Sequence, residues 1–262
     1  MWIDPECPDE RAVAGAVAVL EAGRVADSPH ELPPTVASFV AEIRHGWDGE
    51  PPLAAVSRDG SGRVVGVLQL SMPERDNRHL GYVEVCVDPV ARRCGVGRFL
   101  VGAAIDRLRA EGRTLLLVGG WDTPHGTAFA KALGLDAAMA EVKRRQDLRR
   151  LDMARLDRLY AEAEHAAAGY ELFRMPWPIP DELMPGVVTM VAAINDAPLD
   201  ALDIEDEVFS PERLRGFEAA QLAHGRRMRQ LVARHKESGV LAGHTVVGVE
   251  SDRPWYGDQF DT

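Results

Sequence analysis

The sequence predicts an α/β protein built on a mixed sheet, and three observations lead there. Residues 53–57 and 63–72 flank a Gly-rich turn, Arg58-Asp-Gly-Ser-Gly62, and read as a hairpin. Residues 80–87 form a further strand, stopped by Asp88-Pro89. A helical stretch from Gly97 to about residue 111 leads into an apolar run at 114–118, the pattern of a buried strand reached by one parallel crossover.

The other elements follow in chain order. Residues 10–24 are Ala/Val-rich, with Val13, Val17 and Leu20 at helical spacing. Asp27-Ser-Pro29 breaks that helix, and Pro33-Pro34-Thr35 opens another with Phe39, Val40 and Ile43 on one face. A polar loop at 74–79 joins the hairpin to the third strand. Gly119-Gly120 ends the apolar run, Pro124 starts a short helix closed by Gly134, and residues 137–148 are expected to add one more strand. Residues 152–168 form a charged helix, either a connector or the last helix of a first domain. Then the pattern restarts: a strand at 170–174, a helix at 180–195, and a helix opened by Ser210-Pro-Glu. A second hairpin, 229–234 and 240–249, turns at Lys236-Glu-Ser-Gly239.

The two halves overlay. Phe39 corresponds to Phe217, His45-Gly46 to His224-Gly225, Val56-Ser-Arg58 to Val232-Ala-Arg234, and Gly62 and Gly66 to Gly239 and Gly243. A shared helix-then-hairpin order at an offset of about 177 residues reads as a duplicated domain. The expected division is a first domain at 1–150, a connector at 151–168 and an incomplete second copy at 169–262. On that offset the segment after Asp88 would recur just past Thr262.

Composition narrows the function classes. The 262 residues are 46% hydrophobic and 27% charged, which fits a folded globular chain. A net charge of −11 provides no basic face, so no nucleic-acid partner is expected. Cys7, Cys86 and Cys94 make no C-x-x-C pair and no metal-type cluster; free thiols in a reducing cytoplasm, and no metal, are expected. Residues 1–10 are acidic without an apolar core, so they do not read as a signal peptide. No apolar run reaches the roughly 18 residues of a membrane span. Usage rich in Ala, Arg, Gly and Val and poor in Lys is that of a GC-rich bacterial genome.

The chemistry concentrates at Arg92-Arg-Cys-Gly-Val-Gly97, between a strand and a helix. Unpaired N–H groups and the dipole at a helix start attract anions. Glycines allow close approach of a phosphate, and Arg92, Arg93 and Arg98 add full charges. A dinucleotide loop would carry a third glycine where Leu100 stands, and the Gly-Lys-Ser/Thr of a P-loop is absent. The R-x-x-G-x-G pattern after Val-Asp-Pro resembles the central motif of the GNAT N-acetyltransferases, and the likeness runs from Val83 to Leu100. It extends over residues 53–135, with a weaker echo at 170–262, an arrangement similar to bacterial tandem GNAT proteins, mycothiol synthase-like ones included.

The resemblance implies a GNAT acyl-CoA N-acyltransferase fold with a partial second copy, and acetyl-CoA (CoA) as cofactor. The acceptor would be an amine of a small molecule or peptide. The backbone of Val85, Cys86 and Val87 would bond the pantetheine amides. Arg92, Arg93, Cys94, Gly95, Val96, Gly97 and Arg98 would cradle the pyrophosphate. Thr123 stands where asparagine is common in the family, and the parallel strands would part to admit the thioester arm.

Amine acetylation uses a base for the amine proton and an acid for the departing thiolate. Glu84, mid-strand and on the face opposite Val83 and Val85, is the base candidate, or else a solvent-facing or ion-paired residue. The family's tyrosine before Lys-x-Leu-Gly is Ala130 here. His125 is the substitute acid, or else a capping or surface residue. Glu74 and Asp76 would meet a cationic acceptor. The alternative is a non-catalytic acyl-CoA-binding half of a tandem protein. An exposed strand edge at 257–262 would support a homodimer.

Overall fold

The protein is described by a computed structural model covering residues 1–197 and 202–261; Thr262, which closes the expected dimer edge, lies outside the described residues. The chain divides into two compact units. The first comprises Met1–Asp136, Ile204–Val208 and Glu212–His224, and the second Ala137–Asp203, Phe209–Pro211 and Gly225–Thr262.

The first unit holds α1 (Glu10–Asp27), α2 (Val36–His45), β1 (Leu53–Arg58), β2 (Val64–Ser71), β3 (Leu80–Val87), α3 (Val96–Ala110), β4 (Leu115–Val118) and α4 (Pro124–Ala132). Asp9 caps α1 by accepting from Arg11 N, and Thr35 and Ser38 form a reciprocal capping box on α2. The sheet runs β1-β2-β3-β4, antiparallel except for the parallel β3–β4 pair that α3 connects. Period-2 alternation sorts its side chains. Ala54, Val56 and Val67 pack with α1 and α2; Ala55, Leu68, Leu70 and Val83 pack with Leu100, Val101, Ala104 and Leu108 of α3. Helices therefore cover both faces, and β2 is almost wholly buried. Truncating a fully buried leucine such as Leu68 or Leu100 costs about 2–5 kcal/mol.

One expected strand is absent. Residues 137–147 have no regular structure and are mostly exposed, ending in a short 3-10 turn at Leu148–Arg150. The segment has one β-branched residue, Val142, and a basic run at 143–145, so no alternating apolar face exists to bury.

The second unit contains α5 (Met153–Ala166), β5 (Tyr170–Met175), α6 (Met184–Val191), β6 (Arg226–His235), β7 (Leu241–Glu250) and β8 (Asp258–Asp261), with an antiparallel sheet ordered β5-β6-β7-β8. The helix expected at 180–195 is shorter. Pro185 lacks an N–H and is confined to the first turn, and Ala192–Asp196 tightens into a 3-10 helix. Between β5 and β6 lies α7 (Pro211–Ala223), whose residues from Glu212 onward belong to the first unit.

The two hairpins are alike in hydrogen-bond register. The β1–β2 ladder pairs Ser57 with Gly66, then slips to pair Arg58 with Val64. The β6–β7 ladder pairs Ala233 with Gly243, then slips to pair Arg234 with Leu241. The bulge sits at corresponding residues, and matched glycines adopt matched positive φ: 58° and 71° at Gly46 and Gly225, 86° and 73° at Gly62 and Gly239.

Candidate functional site

The site is set by where two strands stop pairing. β3 and β4 run together from Leu80–Leu115 to Val83–Val118, and Gly119 N adds one last bond to Val83 O at 3.2 Å. Beyond that point Glu84, Val85, Cys86 and Val87 pair with β2 alone. The outer half of β3 thus presents one edge to a gap. Glu84 is exposed, and Val85, Cys86 and Val87 are half-buried.

Past the gap comes the glycine loop. Asp88 caps a 3-10 turn at Pro89–Ala91 through Val90 N and is anchored by Arg63 at 2.7 Å. Arg93 and Gly95 both have positive φ, 65° and 84°. Gly95 is the N-cap of α3, in a left-handed conformation that a Cβ would penalise, and it supplies no side-chain cap. The first N–H groups of α3 are consequently presented to the loop's concavity, the physical requirement of an anion site. Arg93, Cys94, Gly95 and Arg98 are exposed there, with Val96 and Gly97 half-buried. Arg98 reaches back to Ala132 O at 3.5 Å.

Arg92 does something different. It grips Asp27, the last residue of α1, at 2.6 and 3.1 Å, and donates to Val87 O. His125 Nε2 joins them, 2.8 Å from Arg92 and 3.0 Å from Asp27, with Thr123 Oγ1 at 3.2 Å. A neutral imidazole protonated on Nδ1 accepts from Arg92; a protonated one donates to Asp27. All three contacts use one nitrogen, so this is no nucleophile–base–carboxylate relay, which needs both ring nitrogens. Thr123 also caps α4 by accepting from Gly126 N.

The face of β3 bearing Tyr82, Glu84 and Cys86 looks toward α1 and α2. Cys86 packs into the cluster those helices form and contacts Val19 O. Burial pushes its thiol up to about 11, with Arg92 nearby a smaller opposing influence. On the same side, the α1–α2 loop is pinned by Arg24, which donates to Pro29 O and Glu31 O. His30 of that loop meets Trp121, just after the gap, edge-on at 5.2 Å.

Two expected acceptor contacts are otherwise engaged. Asp76 accepts from Arg213 at 2.8 Å and from Val208 N at 3.0 Å, and Glu74 pairs with Arg113 at 3.2 Å. Arg213 and residues 204–208 close over the 74–79 loop, which a separation of about 130 residues hides from any local reading. Sequence reading placed Asp27 at a helix break and in a variable acceptor loop but missed its pairing with Arg92, and it missed Tyr82, although its place two residues before Glu84 puts both on one face. Among the described residues no cluster of metal-ligating side chains occurs, and no helix is long and apolar enough to cross a membrane.

Residues 24–135 match the Acetyltransferase (GNAT) family. Over 99% of this chain and 76% of its own length, a tandem GNAT protein from the clavulanic acid biosynthesis pathway superposes with a TM-score of 0.71 at 26% identity. An aminoglycoside acetyltransferase from an uncultured soil metagenomic sample, in complex with sisomicin, aligns with 56% of this chain and 94% of its own (17% identity, TM-score 0.44). A phosphinothricin acetyltransferase from Sinorhizobium meliloti, in complex with acetyl-CoA, aligns with 47% and 69% (21% identity, TM-score 0.41). No curated protein matches the chain.

Proposed function

We propose that this chain, whose residues 24–135 match the GNAT family and which is similar over its length to a tandem GNAT protein, transfers an acetyl group from acetyl-CoA to a primary amine of a small molecule or peptide. The observation that carries this is the parting of β3 and β4 after Val83, directly before a glycine-capped helix start. The donor set fits the cofactor: unpaired N–H groups and the α3 dipole suit a pyrophosphate, and an open strand edge suits a chain of amides. When bound, acetyl-CoA supplies the acetyl group as an activated thioester.

In this reading the backbone of Val85, Cys86 and Val87 holds the pantetheine arm, and residues 92–98 hold the phosphates. Arg92 acts mainly as a brace, since Asp27 and His125 occupy its guanidinium. Thr123 and His125 fix the start of α4 beside that brace. Glu84 is the base that takes the amine proton. Its position on the α1–α2 face, where the pinned loop and Trp121 also lie, supports an acceptor approaching from that side. His125 would serve as an acid only on release from Arg92 and Asp27. We read residues 1–150 as the acetyl-CoA-binding domain, 151–168 as connector and 169–262 as a second GNAT-like copy, with no pyrophosphate loop among its described residues. Unpaired thiols at Cys7, Cys86 and Cys94 support a reducing, cytoplasmic setting.

Ala130 in place of the family's tyrosine favours a second reading, a non-catalytic acyl-CoA-binding half. One experiment separates them: calorimetry with CoA, followed by a screen of acetyl-CoA against a broad amine panel. The transferase reading expects binding and turnover, with Glu84→Gln reducing kcat about 100-fold or more and leaving cofactor affinity unchanged. Binding without turnover on any amine selects the second reading, and absence of binding sinks both.

A further inference from the structure

Ala130 removes the phenol expected on α4, and the structure places a phenol elsewhere on the gap. Tyr82 lies two residues before Glu84 on β3, so their Cα atoms are about 7 Å apart and their side chains share a face. Tyr82 pairs with Leu117 of β4, one step before the ladder ends. Its ring turns toward the point where the strands part. A Cβ added to Gly119 would overlap the Tyr82 hydroxyl and lie 2.7 Å from Cζ, so the hydroxyl occupies space that only a glycine leaves open. The residue remains 37% exposed, which keeps it within reach of a bound molecule.

We infer that Tyr82 is the proton donor to the leaving sulfur, acting with Glu84 as base across one acyl carbon; this rests on the acetyl-transfer reading above. The amine nitrogen forms its bond to the acyl carbon and the carbon–sulfur bond breaks, its electron pair staying on sulfur. Glu84 takes the amine proton, and sulfur takes the hydroxyl proton of Tyr82. The proton on Glu84 then returns to the phenolate through water, so the net transfer is one proton from amine to thiol. A neutral phenol carries the proton such a step requires.

The test uses the full chain and Tyr82→Phe, which keeps the ring. With the best amine of the panel, kcat should fall at least tenfold while acetyl-CoA affinity stays within twofold. A binding readout runs alongside. A hydroxyl aimed at sulfur favours the thiolate, so wild-type affinity for CoA should rise at least threefold between pH 7 and 9.5 relative to acetyl-CoA, and Tyr82→Phe should abolish the rise. Gly119→Ala, which crowds the hydroxyl, should reproduce the kcat loss in wild type and add little in the Tyr82→Phe background. If wild type transfers and Tyr82→Phe stays within twofold in rate with the same CoA pH profile, the assignment is overturned while the transferase stands. If wild type acetylates no amine, both fall together.

Discussion

At the scale of single residues, the Asp27–Arg92 pair ties the end of α1 to the glycine loop. It is two-pronged, and both side chains are about one-fifth exposed, at 19% and 24%. Charge-assisted bonds of this kind contribute about 1.5–3 kcal/mol. Asp27→Asn should therefore lower unfolding stability by about 1–2 kcal/mol in a denaturant titration, after discounting for solvent screening. An unchanged midpoint would show the brace to be idle. The cysteines give a second check. Burial raises the Cys86 thiol to about 11, so at pH 8 its reactive thiolate is scarce. Exposed Cys7 and Cys94 should label with a thiol reagent in the native protein and Cys86 only after unfolding. The sequence identified Arg92 as part of the loop but not its partner. Asp27 lies 65 residues away, and no short-range pattern reports such a pairing.

At the scale of elements, most of the first unit was readable, because amphipathic periods and turn residues are local signals. β3 was bounded to the residue by its alternation and by Asp88-Pro89. The strand expected at 137–148 failed for a matching reason: Ala137, Ala138 and Ala140 supplied hydrophobicity but no β-branched face. The start of α3 is expected to be an anion site by its chemistry, and its geometry hinges on Gly95. Gly95→Ala would force a Cβ into φ 84°, at a cost of about 1–2 kcal/mol, or tilt the first N–H groups away. Acetyl-CoA affinity should drop about tenfold, with little change in the far-UV spectrum. Unaltered affinity by calorimetry would place the phosphates elsewhere.

At the scale of the whole molecule, the first unit is closed by a helix from late in the chain. Phe217 meets Trp47 at 5.4 Å, fully buried Gln221 donates to Trp47 O, and His224 contacts Gly46 O. Arg213, only 13% exposed, is surrounded by Asp48, Asp76 and Glu207. Burial alone would lower its pKa, and the three carboxylates outweigh that and raise it. Breaking such a cluster costs about 3 kcal/mol, so Arg213→Ala should lower the melting temperature by several degrees. A fragment ending at residue 150 should lose more, judged by heat or protease resistance. The motif order suggested a repeat, but the assignment of α7 to the first unit was not legible in it. The matching Phe and His-Gly are local signals and do not report which neighbour the helix packs on.

That placement also bears on how the protein is made. The sheet and helices of the first unit leave the ribosome long before residues 204–224, which complete it. N-terminal segments generally fold as soon as they are synthesised. Here the nascent intermediate would hold Trp47 and the 74–79 loop uncovered while about seventy further residues are added, at roughly 5–20 residues per second. For several seconds of each synthesis cycle, the half that carries the glycine loop is a surface for chaperones to guard.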